Sequence, residues 1–162
     1  MKDTIICDLD GTLANCEHRV HHVRNKPKNW DAFYAGVRDD EVNYPVLNIL
    51  NKFLTPDIRT RAIVPLRYNV IFCSGRPERC REDTVWWLRE VAHIWYSEHS
   101  PVVQLLMRKD GDRRADYIVK QEILDTHIDK DRVLFVLDDR QQVVDMWRRN
   151  GLTCLQVAEG DF

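Results

Sequence analysis

The chain has little cysteine, little glycine and no long apolar run, and each shortage removes a class of answer. Its 162 residues include five cysteines, Cys7, Cys16, Cys73, Cys80 and Cys154, an odd number with no C-x-x-C pair. That pattern supports neither a disulfide framework nor a zinc site; the cysteines read as small buried hydrophobes in a reducing compartment. No apolar stretch approaches membrane-spanning length, and no basic segment followed by an apolar one opens the chain. No membrane contact is expected, and the cytoplasm is the expected location. Net charge is only −2, with 31% charged and 44% apolar residues, so the composition is that of a globular domain, not of a basic nucleic-acid coat or a disordered tail. An enzyme acting on a nucleic-acid end needs only a local basic patch, which that balance allows. No G-x-x-x-x-G-K-[ST] string occurs, which excludes a phosphate-loop kinase within these residues.

What is present is alternation. Apolar runs at Thr4 to Asp8, Tyr68 to Ser74, Val102 to Met107 and Arg132 to Asp138, with a weaker fifth at Thr153 to Val157, are separated by segments of helical period. Val46, Leu47, Leu50 and Leu54 form one apolar stripe; Val85, Leu88, Val91, Ala92 and Trp95 form another after Pro77. Ile118, Val119, Ile123 and Leu124, then Val143, Val144 and Trp147, supply two more. The expected fold is α/β, an open parallel Rossmann-like sheet of about five strands with helices on both faces, in one domain. Residues 14–43 break the alternation and are too long for a plain connector, so they read as a small cap inserted after the first strand. Asp57 to Arg67 reads as a charged loop or helix extension.

In such sheets the site lies at the carboxyl ends of the strands, and acids and polar residues cluster there. Asp8-Leu9-Asp10-Gly11-Thr12 ends the first run. On an extended chain Asp8 and Asp10 project to one side. Carboxylates so close need a divalent cation between them, or one must hold a proton. Asp8 can then serve as nucleophile and Asp10 as general acid and base, with the Thr12 hydroxyl and N–H offered to an anion. The same residues would also suit an ordinary strand-to-turn junction. Ser74-Gly75-Arg76-Pro77 ends the second run and opens a helix, with Pro77 suited to its first turn, and N–H groups, a hydroxyl and a guanidinium there could meet a phosphate, or merely form a turn. Asp116 and Lys120 share a helix face, which fits an exposed ion pair as readily as a site lysine. Asp138-Asp139 ends the most apolar run; with Asp8 it makes an all-oxygen set suited to Mg²⁺, with a helix cap as the lesser alternative. His18, His21 and His22 lack a carboxylate or thiol at ligand spacing and read as a polar cap face. Trp30, Phe33 and Tyr34 read as a small core first and as a base-stacking trio second.

These motifs, in this order, make the chain resemble the haloacid dehalogenase superfamily of aspartate-nucleophile phosphatases. The strings from Gly111 to Lys120, Leu137 to Arg149 and Gln156 to Phe162 are similar to the 3′-phosphatase domain of bacteriophage polynucleotide kinase/phosphatases. The resemblance implies Asp8 as nucleophile and Asp10 as general acid/base. It also implies Lys120 beside the phosphoryl group and positioned by Asp116, and a metal set drawn from Asp8, Asp10, Asp138 and Asp139. Arg19 and Arg76, with Thr12, Ser74 and Gly75, would contact the phosphate or nearby backbone. The implied reaction is Mg²⁺-dependent removal of a 3′-phosphate from a nucleic-acid end through an aspartyl-phosphate, beside a separate kinase or ligase partner. A mononucleotide phosphatase and a silent end-binding module are the alternatives, and Arg19, Arg24, Lys26 and Lys28 lining a groove or a closed pocket would separate the end-directed enzyme from the mononucleotide phosphatase. Residues 18–43 are longer than the counterpart in that family.

Overall fold

The computed structural model describes residues 1–24, 26–54 and 68–160. Its main sheet holds five parallel strands. These are β1 (Thr4–Cys7), β4 (Asn69–Pro77), β5 (Val103–Arg108), β6 (Val133–Arg140) and β7 (Cys154–Gly160). They run side by side in the order β5-β4-β1-β6-β7, so the chain winds outward both ways from β1. Between them lie α3 (Tyr44–Leu54), α4 (Arg81–Glu90), α5 (Asp116–His127) and α6 (Gln141–Arg149). The cap region holds β2 (Ala14–Asn15), α1 (Glu17–Arg24), α2 (Trp30–Ala35) and β3 (Glu41–Val42), with β2 and β3 paired antiparallel.

The expected strands are all found, each within a few residues of its apolar run. Ile5 and Cys7 on β1 enter the core with Leu50, Trp87 and Leu88 from α3 and α4, while Ile6 enters the opposite core with Val119, Leu124, Val143 and Trp147 from α5 and α6. That period-two division of a four-residue strand is why its sequence is apolar throughout: both faces are covered. The cap has a small core of its own from Cys16, Val20, Val23 and Phe33. All five cysteines are buried and unpaired. Among the described residues no helix is long and apolar enough to cross a membrane. The Asp57 to Arg67 segment lies outside the described residues.

Two local expectations are corrected. Pro77 does not open a helix; at φ −70°, ψ 155° it is extended and still belongs to β4, and a 3₁₀ turn at Glu78–Cys80 precedes α4. The α4 helix then stops at Glu90, so Val91, Ala92 and Trp95 are not on its stripe, and Trp95 is 82% exposed. His93, with φ 54°, breaks the helical path just there.

Candidate active site

The winding reverses at β1, and the carboxyl end of that strand is where crevices open in sheets of this topology. The register of both neighbouring strands is disturbed at the same level. Gly75 and Arg76 are extra residues in β4 between the pairs Ser74↔Met107 and Pro77↔Arg108, and β6 and β7 lose register between Asp138 and Arg140. Bulges of this kind redirect side chains, and here they aim Arg76, Asp138 and Asp139 at the end of β1.

Asp8, Asp138 and Asp139 each bring an oxygen within 4.8 Å of the others, all three residues being buried. Lys120 reaches them from α5, donating to Asp8 Oδ1 at 2.7 Å and Asp138 Oδ2 at 3.0 Å, with Asp116 Oδ2 at 3.4 Å. Trp147 Nε1 donates to Asp138 Oδ2 at 3.1 Å, and the Thr12 hydroxyl donates to Asp139 Oδ1 at 3.2 Å. Burial, with repulsion from Asp138 and Asp139, pushes Asp8 well above the usual carboxylate range despite Lys120. Burial and Asp138 likewise push Asp139 up to about 6. Burial alone would discharge Lys120, but Asp116, Asp138 and Asp8 overcome it and hold the ammonium charged. Lys120, even with Arg140 nearby, leaves Asp8 and Asp139 raised, and the donors are all hard oxygens, so the residues fit a small divalent cation.

Asp10 is not part of that triad. Its Oδ1 accepts from Arg19 Nη2 at 2.5 Å, and from Arg76 Nε at 2.9 Å as well as Arg76 Nη2. The same guanidiniums hold Asp40: Arg19 through Nε at 2.7 Å and Nη2 at 2.6 Å, Arg76 through Nη2 at 2.8 Å. Burial opposes ionisation of Asp10, yet Arg76 and Arg19 outweigh it and bring its pKa down to about 2. The two aspartates therefore avoid repulsion by a third route, separate counter-ions. Arg19 and Arg76, expected against substrate, are 2% and 0% exposed and saturated with carboxylates. Thr12, expected to meet an anion, is fully buried, its hydroxyl on Asp139 and its N–H on the Leu9 carbonyl. Ser74 is also buried, accepting from the Arg76 N–H at 3.2 Å.

Gly75 matters for space. A Cβ there would overlap Asp116 Oδ1. Asp116 also takes Arg108 Nη2 at 3.2 Å, and Arg108 Nε donates to the Gly75 carbonyl at 2.8 Å. Gly75→Ala should shift Asp116 and with it Lys120, lowering kcat about ten- to a hundredfold with the fold kept, as misplacement of this size does; steady-state kinetics beside a thermal melt checks it. Gly11, at φ 87°, is constrained twice, since a Cβ there would also overlap the Asp139 carboxylate.

A narrow cavity of about 50 Å³ stands over the acids, lined by Asp8, Asp10, Trp30, Tyr34, Arg108 and Arg140 among others. It adjoins a groove of about 1000 Å³ between the cap and the loop before α5, whose walls include Lys28, Arg79, Arg108, Arg113, Arg114 and Arg140. Of the four cap cations expected there, Lys28 alone lines it; Arg19 is buried, Arg24 pairs with Glu17 at 3.0 Å, and Lys26 is not on its walls. Sequence reasoning missed Asp40 and Arg108. Arg108 had a signal, since it ends the third apolar run as the other site residues end theirs. His18, read as cap surface, has Nε2 3.0 Å from Asp40 Oδ1.

Acids at the switch point of this parallel sheet, with a lysine from α5 and an acid pair on the adjacent strand β6, define a haloacid dehalogenase-type hydrolase. A haloacid dehalogenase-like hydrolase from Streptococcus pneumoniae shares the fold, with a TM-score of 0.60 at 13% identity over 96% of this chain and 84% of that one. The model of the polynucleotide kinase PNKP phosphatase domain matches residues 2–162, and the chain belongs to that family of phosphatase domains. It is 36% identical, with a TM-score of 0.73, to a chain in the structure of the Pnkp1/Rnl/Hen1 RNA repair complex, covering 99% of this chain and 44% of that one. A candidate bifunctional polynucleotide kinase/RNA ligase of Autographa californica nuclear polyhedrosis virus is 30% identical over 145 residues, 89% of this chain and 17% of that protein. The chain thus spans less than half the length of these family relatives.

Proposed function

We propose that this phosphatase domain removes the 3′-phosphate from nucleic-acid ends, with Mg²⁺ and through an aspartyl-phosphate on Asp8. The observation that carries the reading is the buried set of Asp8, Asp138, Asp139 and Lys120 at the foot of a narrow cavity that adjoins a groove whose walls carry more cations than carboxylates. A groove suits a polymer better than a closed nucleotide pocket would.

A divalent cation held by Asp8, Asp138 and Asp139 would supply positive charge between nucleophile and phosphate, and Mg²⁺ is the ion such hard donors favour. Lys120, 2.7 Å from Asp8 Oδ1, orients that carboxylate and meets the phosphoryl charge. Asp8 attacks phosphorus, the bond to the 3′-oxygen breaks, and Asp10 gives that oxygen a proton. Water then attacks the acyl phosphate, Asp10 takes its proton, and Asp8 is released with inorganic phosphate. The guanidiniums fall on Asp10 Oδ1, so Oδ2 is the oxygen that carries this proton. Free Asp10 is ionised, so it takes up this proton as substrate binds, from the phosphate monoanion or from water, the incoming phosphate charge raising its proton affinity. A kinase or ligase acting on the same ends is the partner such a reaction implies, in the cytoplasm.

The test compares Mg²⁺-dependent phosphate release from a 3′-phosphorylated oligonucleotide, its 5′-phosphorylated twin and 3′-mononucleotides. Preference for the first supports the reading. Equal or better turnover of mononucleotides replaces the substrate, and no release from any of them overturns the chemistry.

A further inference from the structure

The mouth of the cavity carries an alternation of rings and cations that the chemistry above does not use. Lys28 Nζ lies 5.3 Å from the Trp30 ring centre, Trp30 is stacked on Tyr34 at 5.8 Å and 23°, and the Arg79 guanidinium lies 5.7 Å from the Tyr34 ring. The row is held from beneath. Phe33 is buried, meets Trp30 edge-on at 5.7 Å and Tyr34 at 5.3 Å, and carries the Arg19 guanidinium on its own face at 4.1 Å. The trio is therefore divided: Phe33 belongs to the cap core and meets only the cavity, while Trp30 and Tyr34 line both the cavity and the groove.

Trp30 is 39% exposed, an unusual cost for an indole with a core beside it. It lines the same cavity as Asp8, so a phosphate seated over Asp8 places the sugar and base of its own nucleotide at the cavity mouth. Across the mouth stand Arg108 and Arg140, and beyond them, on the opposite groove wall, Arg113 and Arg114, the latter paired with Asp112 and Glu122. One wall thus offers exposed aromatic surface, with Lys28 and Tyr34 against the indole, and the other offers cations, the combination that binds single strands through stacked bases and a tracked backbone. A base inside a duplex has no free face to give.

We propose that Trp30 is the platform on which the unpaired terminal base stacks, so that the domain takes single-stranded 3′-phosphorylated ends and reads them by that base. The proposal rests on the 3′-phosphatase reading above. Trp30 acts on binding, not on proton transfer or attack, and its loss should be read in KM.

The test measures KM and kcat on a single-stranded 3′-phosphorylated oligonucleotide, on the same strand with an abasic terminal nucleotide, and on the same strand in a blunt duplex. Trp30→Ala should raise KM on the intact single strand by about 5- to 100-fold, the worth of one stacked base. Trp30→Leu, which keeps apolar bulk without the π-face, should lose as much, and Trp30→Phe should recover most of it. Removing the terminal base should cost the wild type a similar factor, and the two losses should not add, since both delete one contact. The blunt duplex should behave like the abasic end. The proposal fails if Trp30→Ala raises KM equally on intact and abasic ends, lowers kcat alone, or changes nothing while the wild type turns the oligonucleotide over. Absence of release by the wild type from every 3′-phosphorylated end overturns the underlying reading as well.

Discussion

Asp8→Asn is expected to lower phosphate release by at least about 10⁴-fold, because an amide cannot supply the attacking oxygen and the covalent route is closed. The same change should leave the metal-free protein as stable as the wild type, or more so. Asp8 is 5% exposed, and burial with the facing Asp138 and Asp139 raises its pKa even with Lys120 beside it. A carboxyl whose folded pKa is raised costs stability once pH exceeds its unfolded value near 4. Asn keeps an acceptor for Lys120 and removes that cost, at about 1.4 kcal/mol per pKa unit. The gain should therefore be present at pH 7 and vanish below about pH 4. Added Mg²⁺ should reverse the ranking, since wild type keeps three carboxylates for the ion and gains stability by linkage. Thermal melts of both proteins with and without Mg²⁺ check this, and a variant that loses activity by unfolding would remove Asp8 from the chemistry.

The residues that make this prediction were legible in the sequence because position carried them. Asp8, Asp138 and Asp139 each stop an apolar run, and in a parallel sheet every such stop faces the same crevice. Lys120 was marked by Asp116 four residues earlier, although helix geometry alone allowed an exposed pair; the structure buries the lysine at 1% exposure. The Asp10 surroundings were not legible. Asp40 is 21 residues from Arg19 and 36 from Arg76, in a cap whose path no periodicity fixes. Without Asp40 in view, two arginines near two acids read as phosphate ligands, and only burial separates that role from a closed ion cluster. The bulge at Gly75 and Arg76 had no sequence mark either, since it exists only relative to β5. The aromatic trio was legible in part: Phe33 is in the cap core with Tyr34 packed against it, but spacing does not say that Trp30 is the one left exposed.

Arg19→Ala should destabilise the protein by about 3–5 kcal/mol, the range for removing one partner from a buried charge set. For a domain of this size that lowers Tm by roughly 6–20 °C. Arg19 is 2% exposed, makes three bonds to Asp40 and Asp10, and donates through Nη1 to the Phe33 carbonyl at 3.2 Å. Its loss leaves Asp40, which has no exposed side-chain surface, with Arg76 and with His18, whose ring is 42% exposed. Activity should fall too, because Asp10 would keep one of its guanidiniums and lose the orientation that the pair imposes. Acid should narrow the difference. Asp10 has its pKa depressed to about 2, so its contribution is complete above the unfolded value near 4 and disappears as pH falls through 2. The Tm gap between wild type and Arg19→Ala should shrink over that window. Arg19→Lys should recover less than half of the loss, since one ammonium cannot reproduce a planar fork that spans two carboxylates. A variant that melts like wild type but has lost turnover would return Arg19 to the substrate, as the family resemblance first implied.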